Sequence, residues 1–534
     1  LLSSTRLPRG GRRQDIRFSV AGRELIDTLE AVWRHDFVTR SLPGYGLKAV
    51  AKAFGVAGPD RVYIPGHAVY ATYQSDPERS RRYALDDVAE VAALAPRLLG
   101  ASFALAGMAP RSYGRIANAG PAMGILEPML IRAYLRSGAA PPCEPFPPSA
   151  EGHAGGATFL YAAGVARQVV KADIASMYPS LMRIYQLGPA CDPLKALLTL
   201  VGRLTGLRLN HKAAARAAAP GSHDSYHHEA VQAAMKLLIN SAYGYMGAES
   251  MAMFADRAAA DAVTRHGREV LEQVVAGLRD RGMALLEADT DGVYFAAPPG
   301  WSEQRERALV AEVAATLPDG LKLEYDGRYQ AMLSHEVKNY TLLTYDGRLI
   351  SRGVAFASSR AEPFGGRFLD TALRCLLTGD VPGIQQAYFA MADALRRHAL
   401  PVRDVTTYAR LTKQPADYLA ARERLREAPY EALLAAGRRD WKPGERVRFY
   451  RSGQGAVWVP EDAPEDATWP PYDADHYIHV LRTSFVSRLR KAFDPADFDS
   501  LLRDGGQRSM FDPPLSAIQP RWIIAENPPD AAPR

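Results

Sequence analysis

Residues 285–297 read LLEADTDGVYFAA and set two aspartates, Asp289 and Asp291, inside an otherwise apolar run. Leu285, Leu286 and Ala288 precede them, and Val293, Tyr294 and Phe295 follow. Ionised carboxylates this close repel, and burial raises the pKa of at least one unless positive charge compensates. The pattern predicts strand, tight turn, strand, with Asp-Gly as the turn signal. A hairpin tip that lifts two carboxylates out of a buried sheet suits a divalent cation. D-x-D-G suits an ordinary solvated turn equally well, so other segments must separate the two readings.

The chain has 534 residues, room for three or more domains with sizeable cores. Its apolar and charged fractions, 47% and 23%, are those of an ordinary globular protein. A formal charge of +6 permits a polyanionic partner but is mild over this length, so any basic surface has to be local. Cys143, Cys191 and Cys375 are far apart and in no metal or redox spacing, which predicts no disulfide framework and a reducing cytosol. The nearest approach to a membrane span, LAPRLLGASFALAGMAP (94–110), is interrupted by Pro96 and Arg97, which predicts no transmembrane helix. LLSSTRLPRGGRRQD at the start lacks the apolar centre of a signal peptide, and a first residue of Leu leaves open a fragment or a processed chain.

No internal repeat is visible. The stretch 136–157, RSGAAPPCEPFPPSAEGHAGGA, reads as a linker. Before it DRVYIPGHAVYATY (60–73) is strand-like and ALDDVAEVAALAPRLL helical; beyond about residue 365 the pattern is mostly helical, with a Pro-rich acidic loop, VWVPEDAPEDATWPP. ENPPDAAPR at the end reads as a disordered tail.

A third carboxylate stands in VARQVVKADIASMYPSLMRIY (165–185), where a β-branched run carries Asp173 near its end. Pro179 is expected to break that strand before a short helix, and Ile174, Ala175 and Ser176 to leave backbone N–H groups free for an anion. An ordinary strand end would look the same. In SYHHEAVQAAMKLLINSAYGYMG (225–247), Gln232, Lys236, Asn240, Tyr243 and Gly244 share one helical face, while Met235, Leu238 and Ile239 give the packing face. The preceding helix, ending at Pro220-Gly221, carries Arg208, Lys212 and Arg216 at i, i+4 and i+8. Like charges so placed cost a few tenths of a kcal/mol per pair, a cost that makes sense against a polyanion, though a solvated basic face is the plain alternative. Two helices joined by a short turn pack antiparallel, with Lys212 and Lys236 able to converge on a triphosphate.

Three acids on a sheet with cationic helices are the ingredients of two-metal phosphoryl transfer. The chain resembles the family B, alpha-like, DNA-dependent DNA polymerases. DIASMYPS (173–180) resembles that family's first palm motif, D-x-x-S-L-Y-P-S; QAAMKLLINSAYG (232–244) its fingers motif, with K-x-x-x-N-S-x-Y-G intact; and EADTDGVYF (287–295) its third motif, usually Y-G-D-T-D-S. RLNHK (208–212) matches the R-x-x-x-K before the fingers motif, and GGAT (155–158) a Gly-Gly element before the palm. VKNYTLLTYDGRLISRGVAF (337–356) resembles the segments that grip primer–template duplex, DVTTYARLTKQPADY (404–418) and RDWKPGERVRFY (439–450) resemble thumb elements, and SSRAEPFGGRFL resembles a bacterial branch of the family. The likeness runs from about residue 15 to 510.

The resemblance implies an α/β (α+β multidomain) fold with right-hand architecture: an antiparallel-sheet palm, helical-hairpin fingers and a mostly helical thumb, after a partial ribonuclease-H-like exonuclease domain. The segments it draws are 1–105 (exonuclease-like), 106–157 (connecting), 158–190 and 248–365 (palm), 191–247 (fingers), 366–515 (thumb) and 516–534 (tail). It implies template-directed DNA synthesis with two Mg²⁺ ions, Mn²⁺ able to substitute, on primer–template DNA and deoxynucleoside triphosphates, in the cytoplasm with a bacterial-type nucleoid and without a membrane. A sliding clamp stays open as a partner, with no motif for one. Asp173 and Asp289 resemble the metal-ligating pair and Asp291 the adjoining support. Ser176, Met177, Tyr178, Arg208, Lys212, Lys236, Asn240 and Tyr243 resemble the nucleotide site, Lys236 also the proton donor to pyrophosphate and Tyr178 the residue that excludes a 2′-OH. Gly155, Gly156, Lys338, Tyr340, Arg352 and Gly353 resemble the DNA contacts.

Departures matter too. Glu287-Ala288 stands where Tyr-Gly is common, Gly292 where Ser is, and Val337-Lys338-Asn339-Tyr340 keeps one of two lysines. Residues 1–105 resemble the second half of a 3′–5′ exonuclease domain, its first half absent, with Tyr83 and Asp87 as inert remnants, so no proofreading is expected. A catalytically silent nucleic-acid-binding homologue, a truncated unstable fragment and a metal-dependent sugar-nucleotide transferase are the alternatives. Clustered carboxylates argue against the first, and the fingers helix against the last.

Overall fold

The computed structural model describes residues 2–525 except 10–12, 40–41, 43, 143–154, 220–221, 249–250, 357–360, 461–462, 464–466 and 504–513. A hairpin, β1 (Leu2–Arg9) and β2 (Arg13–Val20), leads into six helices. These are α1 (Thr28–Thr39), α2 (Leu47–Ala53), α3 (Val69–Ser75), α4 (Pro77–Ala106), α5 (Tyr113–Asn118) and α6 (Glu127–Ser137). Strands β3 (Thr158–Leu160) and β4 (Gly164–Ile174) precede helices α7 (Met177–Ile184), α8 (Ala196–Ala217), α9 (His223–Met246) and α10 (Arg257–Arg279). Next come β5 (Ala284–Asp289), β6 (Gly292–Ala296), α11 (Glu303–Ala314), β7 (Leu323–Glu336), β8 (Asn339–Leu343) and β9 (Leu349–Arg352). The remainder is α12 (Pro363–Thr378), α13 (Val381–Arg396), β10 (Thr407–Arg410), α14 (Pro415–Ala421), α15 (Ala428–Ala435), β11 (Arg446–Ser452), β12 (Gly455–Trp458), α16 (Ala474–Val480), α17 (Pro495–Leu501) and β13 (Trp522–Ile523).

The chain forms two compact units, one of Leu1–Gly156, Ser176–Glu269 and Asp319–Leu321, the other of Ala157–Ala175, Val270–Pro318 and Lys322–Arg534. In the first, α4 opens on an Asp76 cap that accepts the Arg79 N–H at 3.0 Å, with Pro77 at its first position, where no N–H is needed. It packs on α1, α2, α3, α5 and α9. α9 opens on Ser222 and pairs with α8, burying Ala234, Met235, Leu238, Ile239 and Ala242, the face its periodicity predicts.

The second unit is built on an eight-stranded sheet, ordered β3-β5-β6-β4-β7-β8-β9, with β13 also on β4. All neighbours are antiparallel except β13 on β4. β6 is buried along its whole length, which is why its sequence reads as a continuous apolar run. The apolar stripe of α12 (Phe364, Phe368, Ala372, Leu376) joins Val165, Ala331 and Leu333 of the sheet in one core. A separate sheet, β10-β11-β12, closes with α14 and α15 over Tyr418, Tyr430 and Trp441.

Several expectations are corrected. DRVYIPGHAVYATY is not a strand: the Val62 N–H goes to the Asp86 carboxylate at 2.9 Å and Val69–Ser75 is helical. The C-terminal third holds a three-stranded sheet as well as helices. Of the expected tail, Leu515–Ala517 is a helical turn and Trp522–Ile523 pairs with β4, clamped by the Arg167 guanidinium 4.1 Å over Trp522; ENPPDAAPR lies outside the described residues. Pro96 does not end α4, which is long and apolar enough by length and composition to cross a membrane. Cys191 and Cys375 are free.

Candidate active site

The β5–β6 hairpin forms, but its central residues are Thr290 and Asp291 rather than Asp291 and Gly292: Asp289 pairs with Gly292, and Thr290 has φ +56°. On the other side of β6, Asp173 of β4 also pairs with Gly292. Adjacent strands lie about 4.8 Å apart, so the Cα atoms of Asp173 and Asp289 stand about 10 Å apart across one glycine. A Cβ on Gly292 would come within 2.6 Å of Asp173 Oδ1, so this glycine makes room for the carboxylate. The Asp291 C=O accepts the Ile174 N–H at 2.7 Å, stitching the turn to the end of β4, and Asp289 Oδ1 accepts the hydroxyls of Thr290 and Thr158 at 3.1 and 3.3 Å.

This corner calls for positive charge. Burial, and then the charge of Asp173, push the Asp291 carboxyl up to about 6. Burial likewise raises Asp173, against the pull of Lys171. Two lysines answer: Lys171 Nζ lies 3.4 Å from Asp173 Oδ1 and 2.6 Å from Asp326 Oδ2, and Lys338 Nζ lies 3.0 Å from Asp289 Oδ1. An all-oxygen donor set with this charge deficit fits hard divalent cations. The carboxylates do not close into a ready three-ligand cage: among the described residues the group with three ligating atoms mutually within 4.8 Å is His211, His227 and His228.

Glu287, next to this corner, is 1% exposed; its Oε1 accepts the Lys338 N–H at 2.5 Å and its Oε2 has no partner. That bond holds the β7–β8 turn, where Lys338 has φ +62° and its ammonium faces Asp289. Gly353 has φ +83°, and any Cβ there would collide with the Lys338 carbonyl. Tyr340 pairs with Arg352 across β8 and β9 and shares a 3.1 Å hydrogen bond with the hydroxyl of Tyr294. Lys338, Tyr340, Arg352 and Gly353 therefore form one corner of the sheet.

The other predicted residues lie in the first unit. Arg208 Nη1 donates to Ser176 Oγ at 3.0 Å, while its Nε is buried without a partner, an N–H suited to a phosphate oxygen. Lys236 and Asn240 are exposed on the polar face of α9, Lys212 is half-buried on α8, and Arg216 is exposed. The rings of Tyr178 and Tyr243 lie 4.5 Å apart at 39°, and burial, then Tyr178, push the Tyr243 hydroxyl up to about 12. Met177 is 2% exposed, which leaves its backbone to line a ligand. Two of the three N–H groups expected to be free are used: Ile174 on Asp291 and Ala175 on the Lys322 C=O at 2.9 Å. Pro179 sits inside the first turn of α7 instead of breaking the chain there.

Residues 197–451 match the profile of DNA polymerase family B. The family B DNA polymerase of the hyperthermophilic archaeon Pyrobaculum calidifontis superposes with TM-score 0.61 at 23% identity, over 89% of this chain and 64% of that one. The fold is that of a family B DNA polymerase. Curated relatives agree: the DNA polymerases of Thermococcus sp. (strain 9oN-7) and Thermococcus gorgonarius are each 25% identical over 90% of this chain, and 65% and 66% of their own lengths are covered. The chain thus spans less than two thirds of the length of these relatives.

Within the family B fold the departures acquire physical reasons. Glu287 replaces an aromatic side chain with an acceptor for the Lys338 N–H, and Gly292 leaves space for Asp173. Residues missed in the sequence are Lys171, Asp326 and Gly267. Lys171 precedes Asp173 by two in a strand, so period-two alternation already put both on one face. Asp326 depends on the β4–β7 register, and Gly267 of α10 on a contact, since a Cβ there would stand 2.9 Å from the Tyr178 ring. Asp87 is paired with Arg61, which also binds Glu90 at 2.9 Å, with the Tyr83 ring 5.2 Å from the guanidinium. In the first 105 residues the described strands are the two of one hairpin, beside helices.

Proposed function

We propose that this chain is a template-directed DNA polymerase that adds deoxynucleotides to a primer 3′-hydroxyl. The observation that supports it most is the pairing of Asp173 and Asp289 with the two sides of Gly292, each countered by a lysine. The 3′-oxygen forms a bond to the α-phosphorus, the bond to the bridging oxygen of pyrophosphate breaks, and the hydroxyl proton passes to solvent water. Two divalent cations, Mg²⁺ in this reading, supply a lowered pKa for the 3′-hydroxyl and charge neutralisation on the leaving group. Asp173 and Asp289 would hold them, with Asp291 as support.

Arg208, Lys212, Lys236 and Asn240 bind the triphosphate, Lys236 as proton donor to pyrophosphate; Ser176 and the Met177 backbone line it. Tyr178, backed by Gly267, excludes a 2′-hydroxyl, and Tyr243 lines the nascent base pair. Lys338, Tyr340 and Arg352, with Gly353, Gly155 and Gly156 shaping the backbone, contact the phosphates of primer–template DNA, which fixes register without reading sequence.

The finer parts are proposals of the same kind. Asp87 is committed to Arg61 and, with Tyr83, is an inert remnant of an exonuclease-like segment, so the residues in hand do not proofread. SSRAEPFGGRFL resembles a bacterial branch, and a bacterial-type cytoplasmic, nucleoid location is proposed with it; the curated relatives named above are archaeal, and Ser358, Ser359 and Arg360 lie outside the described residues. The test is extension of a labelled primer with Mg²⁺ and deoxynucleotides, wild type against Asp289→Ala. Extension that vanishes in the variant is expected; a folded, DNA-binding wild type that extends nothing would overturn the proposal in favour of a silent homologue.

A further inference from the structure

The polymerase reading leaves one cluster of metal-ligating side chains unused. His211 lies on the last third of α8, and His227 and His228 lie near the start of α9. Antiparallel packing of the two helices brings them together: His211 Nδ1 and His228 Nδ1 are 3.0 Å apart, and all three rings offer a nitrogen within 4.8 Å of the others. We infer that these three histidines form a binding site for a transition-metal ion of the zinc class.

The geometry is close to what such an ion requires. With metal–nitrogen bonds of about 2.0–2.1 Å and tetrahedral angles, ligating nitrogens stand about 3.4 Å apart and ring centroids about 5 Å apart. Here the centroids of His211 and His228, His227 and His228, and His211 and His227 are 5.1, 5.4 and 6.1 Å apart, with interplanar angles of 55°, 60° and 68°. The rings are inclined to one another rather than stacked, and the wider separation is that of His211 and His227. His227 is exposed and His211 and His228 are partly buried, so the pair is held while the third ligand can swing. His227 also lines a cavity of about 550 Å³ with Pro96, Gly100, Phe103 and Tyr226.

Donor chemistry separates this site from the carboxylates. Three imidazoles suit zinc, nickel or copper, whereas Mg²⁺ prefers oxygen ligands. In the absence of an ion, the 3.0 Å contact needs a proton on one Nδ1; with the ion on both Nδ1 atoms each ring carries its proton on Nε2. A fourth position stays open to water. The bound ion would tie α8 to α9 immediately beside Lys212, so it would fix the phase of the helix that carries Arg208 and Lys212.

The inference does not depend on polymerase activity, and its test reads binding. Zn²⁺ is titrated calorimetrically, and Co²⁺ by its visible ligand-field absorption, into the whole chain carrying Asp289→Asn, in excess Mg²⁺. One equivalent is expected, with a tetrahedral Co²⁺ spectrum and a higher melting temperature, and with affinity reduced about 100-fold or more in His211→Ala and in His228→Ala. His227→Ala removes an exposed ligand without disturbing the core and should weaken binding as well. Binding unchanged in His227→Ala together with either partner variant, or no binding by the folded parent, overturns the site.

Discussion

The corner of the large sheet and the polar face of the α8–α9 hairpin solve opposite electrostatic problems. On the sheet, acidic groups are crowded: Asp173, Asp289, Asp291 and Asp326 come together, and Lys171 and Lys338 supply cations from within the protein. On the hairpin, Lys212 and Lys236 make no ion pair among the described residues, and the Arg208 Nε is buried without an acceptor. A site that already holds its counter-charge can exchange it for an added cation. A site with unanswered cations waits for an anion. The first description fits added cations and the second an added anion.

The largest effects should come from removing the charges that define each half. Asp173→Ala or Asp289→Ala should lower primer extension about a thousandfold or more, on the order of 4 kcal/mol of transition-state stabilisation. Lys236→Ala should cost about 100-fold in kcat/KM, and more of it in kcat if Lys236 gives its proton to pyrophosphate in the transition state. Single-turnover extension measures both. If Lys236→Ala changes KM alone, the cation binds the triphosphate without acting on the leaving group.

A subtler contrast lies in Lys338. If its ammonium only balances Asp289, Lys338→Ala should lower the Mg²⁺ concentration needed for half-maximal extension a few-fold. If it grips the duplex, the same variant should weaken DNA binding and reduce the salt slope by about one. Measuring Mg²⁺ dependence and DNA affinity in the same variant separates the two roles, and no change in either would exclude both.

How far these halves were legible in the sequence follows from how local each signal is. The face of α9 was readable because 3.6-residue periodicity is contained in one segment, and the burial of Met235, Leu238 and Ile239 follows it. The β5–β6 hairpin was readable for the same reason, apart from its turn, where Thr290 rather than Gly292 takes the positive φ. What escaped depends on partners distant in sequence. Ile174 and Ala175 lose their N–H groups to Asp291 and Lys322, Lys338 turns toward Asp289, and Asp326 reaches Lys171 only through the β4–β7 register. DRVYIPGHAVYATY is rich in β-branched and aromatic residues, but Pro65-Gly66 interrupts it and Asp86 takes the Val62 N–H that a neighbouring strand would have used.

The smallest expected effect concerns Glu287, where the sheet corner departs from the aromatic residue common in the family. Its buried carboxyl accepts the Lys338 N–H and leaves Oε2 unpaired, so it fixes the β7–β8 turn at the cost of one unsatisfied oxygen. Glu287→Gln keeps an acceptor for that N–H and should leave thermal stability within about 1 kcal/mol of the parent. Glu287→Leu removes the acceptor, strands the Lys338 N–H and should cost about 1–3 kcal/mol. Because that turn aims the Lys338 ammonium at Asp289, Glu287→Leu should also shift Mg²⁺ dependence in the same direction as Lys338→Ala. A Glu287→Leu variant that melts lower yet keeps the parent's Mg²⁺ dependence would show that the turn supports the sheet without setting the charge at Asp289.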